Sequence, residues 1–207
     1  MDVLLNTFVV LFIVVDPIGV AWMFVTLTRG AGHATRRRMA VTGTALAAVI
    51  LFVFFFIGDP LLRTLGITLP AFRIAGGVLL FLLAIDMVFA RQSGLRSTTV
   101  QEQAEAEQRH DVSVFPLAFP LIAGPGALTT VLLMTSARGD PLIFLGMLAI
   151  LALVLMLTLA ALLAATAIMR LLGETGVNVL SRLLGLVLAA LAVQYMLDGL
   201  RAGLLSG

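Results

Sequence analysis

Apolar runs of about bilayer length alternate with short polar connections from one end of the chain to the other. They cover residues 3–27, 39–57, 72–90, 112–135, 142–169 and 179–200. A membrane-spanning helix needs about 20 mostly apolar residues, so the pattern predicts six transmembrane helices. Two of the runs are interrupted. The first breaks at Asp16, Pro17 and Gly19, within DPIG, and the fourth at Gly124, Pro125 and Gly126, within the AGPG that starts at Ala123.

The two interruptions fall at matching places in an internal repeat. Residues 11–28 align with 118–135, pairing Phe12 with Phe119, Gly19 with Gly126 and Thr28 with Thr135. Further on, residues 72–87 align with 181–196, pairing Arg73 with Arg182, Gly76 with Gly185 and Met87 with Met196. Matched leucines carry no information in so apolar a chain; a matched arginine, glycine and broken motif in the same order do. The expected fold is an all-α membrane protein of six transmembrane helices forming two inverted three-helix repeats, with the first helix of each (spans 1 and 4) broken. Residues 1–90 form the first repeat, 91–111 a polar cytoplasmic linker, and 112–207 the second repeat. Three spans is an odd number, so the second copy enters from the opposite side, an architecture recurrent among secondary transporters.

Composition supports a membrane protein. Hydrophobic residues make up 61% and charged residues 12%, against roughly 25% charged in a soluble domain, and mean hydropathy is +1.14. The net charge of +2 does not point to nucleic acid, because the arginines scatter over helix ends and short loops. They cluster in the first, third and fifth loops (Arg29, Arg36, Arg37, Arg38; Arg91, Arg96, Arg109; Arg170). Those loops are expected to be cytoplasmic, leaving both termini on the other side. The absence of cysteine excludes disulfides and thiol chemistry. His33 and His110 lie in loops, and neither a metal constellation, a phosphate loop nor a nucleophile triad is visible. No enzyme activity, cofactor or metal is expected. The expected partners are the bilayer and a small-molecule substrate, with a proton or Na+ as coupling ion and an oligomer left open.

In hydrocarbon an open stretch of backbone survives only when buried in protein or lining a wet cavity. Pro17 and Pro125 lack an N–H, and the flanking glycines admit unusual backbone angles. Opened half-helices present partially positive N-termini to a carboxylate and C-terminal carbonyls to an ammonium, which suits a zwitterion. The candidate substrate residues are therefore Asp16, Pro17, Ile18, Gly19, Ala123, Gly124, Pro125 and Gly126. Asp16, near mid-bilayer, suits binding an amino group or a proton, and equally suits capping the half-helix that Pro17 begins. Trp22, Thr129, Thr130, Asp86 and Gln194 are cavity candidates of second rank. Thr26 is weaker, because membrane threonines often bond their own backbone, and Arg73 and Arg182 sit where long side chains snorkel to the interface.

DPIG followed by a Phe and VTLT, AFPLIAGPGALTTV, RIAGG and the tail SRLLGLVLAALAVQYMLDGL together resemble the MarC family of prokaryotic membrane proteins across residues 3–200. The resemblance implies a multi-pass protein of the prokaryotic inner membrane that moves small neutral amino acids such as glycine and alanine, with the substrate on the two Gly/Pro motifs. Many relatives carry Asn and Pro soon after DPIG, where this chain has Val20, Ala21 and Trp22. An exporter of another small metabolite or a drug is the alternative. An intramembrane lipid phosphatase is remote, since no Glu lies inside an expected span.

Overall fold

The computed structural model describes residues 2–89, 111–134 and 140–205, and among them all regular structure is helical. In chain order the helices are α1 (Asp2–Val15), α2 (Pro17–Leu27), α3 (His33–Thr64), α4 (Leu69–Phe89), α5 (Ser113–Ile122), α6 (Pro125–Met134), α7 (Pro141–Leu163) and α8 (Ala165–Leu205). Five stretches are long and apolar enough to cross a membrane, α1 and α2 together being one of them, and α5 with α6 makes a sixth if that bent pair is one span. The expected linker, apart from Asp111, and the loop carrying Arg138 lie outside the described residues.

Charge sets the ends of α3. Arg36, Arg37 and Arg38 stand in its first turns, and Asp59 pairs with Arg63 at 3.1 Å near its last. The uncharged stretch between them, residues 39–58, covers about 30 Å at the helical rise. One stripe of α3 is buried, from Met39 and Ala40 through Gly43, Ala47, Leu51 and Phe55 to Gly58 and Leu62. A methyl on Gly43 would lie 2.5 Å from Leu117 of α5, and one on Gly58 would lie 2.6 Å from Leu132 of α6. Thus α3 runs along both limbs of the bent α5–α6 pair.

The most extensive contact joins α4 to α8, which run antiparallel. Glycines permit the close approach, as is common between membrane helices: Gly77 meets Met196 and the carbonyl of Ala192, Gly185 meets Met87 and Val88, and Gly199 meets Ile74 and the carbonyl of Pro70. Gly76, aligned with Gly185 in the sequence, instead faces Thr129 of α6. The fifth expected span, 142–169, is shorter than expected: α7 ends at Leu163, and the remainder joins α8, which kinks at Gly173 (φ 64, ψ 175), a left-handed conformation natural to glycine.

Two polar anchors hold the loop ends. Arg36 donates from Nε (3.1 Å) and Nη2 (2.9 Å) to the carbonyl of Thr28, satisfying an acceptor just past α2. Asp111 precedes α5, and its Oδ1 accepts from the Ser113 backbone N–H at 2.9 Å and from the Ser113 hydroxyl. These bonds, the hydroxyl's foremost, with Arg38 adding attraction, hold the Asp111 carboxyl below its ordinary value. A carboxyl lowered by folding stabilises the folded state above its unfolded pKa of about 3.9, and the contribution disappears as pH falls through the lower folded value. A carbon-13 titration of Asp111 in micelles should show a midpoint below that reference, and Ser113→Ala should raise it.

Candidate functional site

The first interruption is a single residue. Asp16 adopts φ 50, ψ 68, the only positive φ outside glycine among the described residues; Asp is one of the few side chains that tolerate this left-handed region. Its Oδ1 accepts the Gly19 backbone N–H at 3.0 Å, capping α2, while Pro17 opens the helix where no N–H is needed. Hydrogen bonding continues on either side, from the Asp16 N–H to the Phe12 carbonyl and from the Val20 N–H to the Asp16 carbonyl, each at 2.9 Å. Pro17, Ile18 and Gly19 are therefore helical, and the half-helix end is covered by the protein's own carboxylate instead of standing open. Gly19 is required by that carboxylate: a Cβ there would lie 2.1 Å from Asp16 Oδ2.

The second interruption is larger. The axes of α5 and α6 meet at 56° around Ala123 and Gly124. The irregularity starts earlier, because Phe115 (φ −132, ψ 127) and Phe119 (φ −137, ψ 130) are extended inside α5. Each precedes a proline, which disfavours the helical region; both Phe–Pro bonds are cis. Without the proline N–H groups α5 bonds across wide turns, Leu117 to Val112 at 3.1 Å and Ala123 to Ala118 at 2.9 Å. Gly124 sits on the Pro120 carbonyl, 2.3 Å from where a Cβ would be.

At this bend lies a cleft lined by Val14 of α1, Leu79 and Leu83 of α4, residues 120–122 of α5, and Gly124, Pro125, Gly126 and Ala127. It encloses about 20 Å³, room for about one water, so this conformation is closed to an amino acid. A Cβ on Gly126 would touch Val14, Leu80 and Leu83 at 3.1 to 3.2 Å, which places the second break within one side chain of the helix that ends at Asp16. The first-turn N–H groups of α6 have no acceptor within the helix, and Gly126 and Ala127 of that turn are among the residues lining the cleft.

The expected residues thus divide. Gly124, Pro125 and Gly126 line the cleft; Ala123 is buried beside it. Asp16, Pro17, Ile18 and Gly19 form the adjoining capped break and do not line it. Thr130 donates its hydroxyl to the Gly126 carbonyl at 2.9 Å, and Thr129 turns its methyl onto Gly76. Thr26 likewise bonds the Trp22 carbonyl at 3.1 Å. Trp22 is half-buried and outside the cleft; Gln194 is exposed and donates to Asp198 at 2.8 Å. Asp86 lies on α4 one turn beyond Leu83. Pro120, Val14, Leu79 and Leu83 join the site without having been expected there.

Residues 1–204 match the description of a MarC family integral membrane protein. The chain belongs to the MarC family. It is 37% identical over 198 residues to a membrane protein of Methanocaldococcus jannaschii, covering 94% of each chain. It is 32% identical to the membrane protein YhcE of Escherichia coli, covering 94% of this chain and 90% of that one. It is 34% identical to the inner membrane protein YhgN of the same organism, covering 97% and 98%. No solved structure matches. These MarC relatives span archaea and bacteria along nearly the full chain, and the descriptions of these three name a membrane protein.

Proposed function

We propose that this MarC protein is a secondary transporter of small neutral amino acids, glycine or alanine in size, working by alternating access around the two interrupted helices. The observation that carries the reading is the closed cleft at the α5–α6 bend, with the N-terminus of α6 on its wall. A substrate carboxylate suits the partial positive charge and free donors at the starts of helices. Carbonyls at the end of α5 suit the ammonium, and Val14, Leu79 and Leu83 leave little room for a side chain. The protein acts without a cofactor and catalyses no covalent change. Close glycine packing at the bend, Gly124 on the Pro120 carbonyl and Gly126 against Val14, Leu80 and Leu83, favours this cargo over a bulky drug, whose passage needs a large apolar cavity.

The inverted three-helix repeat belongs to the same reading, supported by the sequence alignment and by interruptions that lie against one another in space. The distribution of arginine supports cytoplasmic first, third and fifth loops and termini on the far side. Likeness to YhgN supports a place in the inner membrane.

Purified protein in liposomes should exchange labelled glycine or alanine. Gly126→Leu should reduce exchange by at least tenfold, because the added side chain enters a cleft already in contact with Val14, Leu80 and Leu83. Absence of exchange across a panel of amino acids would overturn the substrate assignment, and movement of bulky cargo instead would favour the export alternative.

A further inference from the structure

We propose that Asp86 is the group that takes up and releases a proton during transport, standing at the end of the cleft nearest the C-terminus of α4. The inference rests on the transport reading above. Asp86 follows Leu79 by seven residues, about 20° away around a helix of 3.6 residues per turn, and both Leu79 and Leu83 line the cleft. It therefore continues the cleft-facing stripe of α4. Its Oδ2 is buried and has no hydrogen-bond partner, while the residue as a whole is half-buried. One carboxyl oxygen is shut in, and the group keeps an opening.

Asp16, the other acid deep in a span, differs in kind: its Oδ1 accepts the Gly19 N–H and so helps to build the fold. Nothing comparable engages Oδ2 of Asp86. Of the helices packed against α4, α6 carries no titratable residue. On α8, Arg182 is exposed, three residues before the Gly185 that touches Met87, and no ion pair joins it to Asp86. Tyr195, Asp198 and Arg201 flank Gly199, which packs on Ile74 and Pro70 toward the opposite end of α4. Farther along α8, Arg170 and Glu174 lie beside the Gly173 kink, on the other side of Gly185. Across the bend, α5 has no titratable side chain.

A buried carboxylate oxygen without a donor is costly in a low-dielectric setting. A proton on Asp86 gives the neutral acid and removes that cost; opening of the cleft to water permits its release. No other species is consumed. A metal-type site is less suitable, since among the described residues no three His, Cys, Asp or Glu side chains gather. A single acceptor is filled by a single proton. Coupling follows if the neutral acid favours the closed cleft and the ionised one the open cleft, because a ligand shifts an equilibrium only through its different affinity for the two states.

The test uses the full chain in liposomes. Dicyclohexylcarbodiimide reacts with protonated carboxyl groups in apolar surroundings, and mass spectrometry should find its adduct on Asp86, declining as pH rises and absent in Asp86→Asn. Uptake of labelled glycine should be stimulated by an imposed pH gradient in the wild type. Stimulation should be lost in Asp86→Asn and return in Asp86→Glu with a displaced pH profile. An adduct confined to Asp16, gradient stimulation that survives Asp86→Asn, or uptake driven by sodium alone would overturn the assignment. If Asp86 labels as expected but no amino acid moves under any gradient, transport falls while proton binding at Asp86 stands.

Discussion

Gly124→Ala should disable the folded protein more than any other single methyl addition at the bend, with a stability cost of about 3 kcal/mol, the upper end of ordinary overpacking. The added Cβ would lie 2.3 Å from the Pro120 carbonyl oxygen, and that oxygen is backbone. It moves only if α5 moves, and α5 is held along α3 by Leu117 against Gly43. Relief therefore requires a change in the 56° bend itself. Gly126→Ala provides the contrast. Its contacts are the ends of Val14, Leu80 and Leu83 at 3.1 to 3.2 Å, and such tips yield by rotating. Gly32→Ala is the control, since no atom lies within 4 Å of a Cβ there. Thermal unfolding in detergent should rank the variants Gly32→Ala, Gly126→Ala, Gly124→Ala from most to least stable. Equal melting of Gly124→Ala and Gly32→Ala would show that the bend is softer than its geometry implies.

The same bend shows what could be read from sequence. AGPG was legible because proline and glycine act locally, whatever surrounds them. FPLAFP carries an equally local signal, two Phe–Pro steps four residues apart, yet within an apolar run it reads as more span; the extended Phe115 and Phe119 show the pre-proline restriction at work. Thr130 follows a local rule as well, returning its hydroxyl to the preceding turn. Val14, Leu79 and Leu83 were not legible. They reach the cleft because α4 crosses α6 with Gly76 on Thr129, a register set by distant parts of the chain. Gln194 was placed toward the bundle because a lipid-facing side and a packed side are both apolar in a membrane helix, so amphipathic pattern gives no direction. Its exposed position on α8 follows from the α4 contact made by Gly185 and Gly199.

A closed cleft beside a capped break also redistributes roles among the acids. Asp16 has a local explanation, a cap three residues from its acceptor partner, and does not line the cleft. Asp86 has no such explanation, and the helix face it shares with Leu79 and Leu83 leads to the bend. Under the proposed transport reading, the DPIG motif is the fixed element and the α5–α6 bend, with α4 beside it, the element that opens.

Gly19→Ala should be strongly destabilising in the wild-type background and nearly harmless once Asp16 is glycine. In the first case the methyl lies 2.1 Å from Asp16 Oδ2 and 2.8 Å from its Cγ, so the carboxylate must leave the Gly19 N–H. Losing a cap costs about 1 kcal/mol, and displacing a buried carboxylate from a hydrogen bond it accepts adds to that. Asp16→Gly alone removes the carboxylate but relaxes a backbone already at φ 50, where glycine pays no steric penalty; a cap changed to glycine loses only a few tenths of a kcal/mol. In the double variant the methyl meets no carboxylate. The cycle should therefore return a coupling of about 2 to 3 kcal/mol, the upper part of the range for residues in contact, read from unfolding in mixed micelles. Additive effects would mean that Gly19 is needed for something other than room for Asp16. Glycine exchange by Asp16→Asn separates cap from charge. Asparagine is also a good N-cap and tolerates the left-handed region, so this variant should keep both fold and exchange if Asp16 only holds the break. Loss of exchange with the fold intact would return Asp16 to the substrate site.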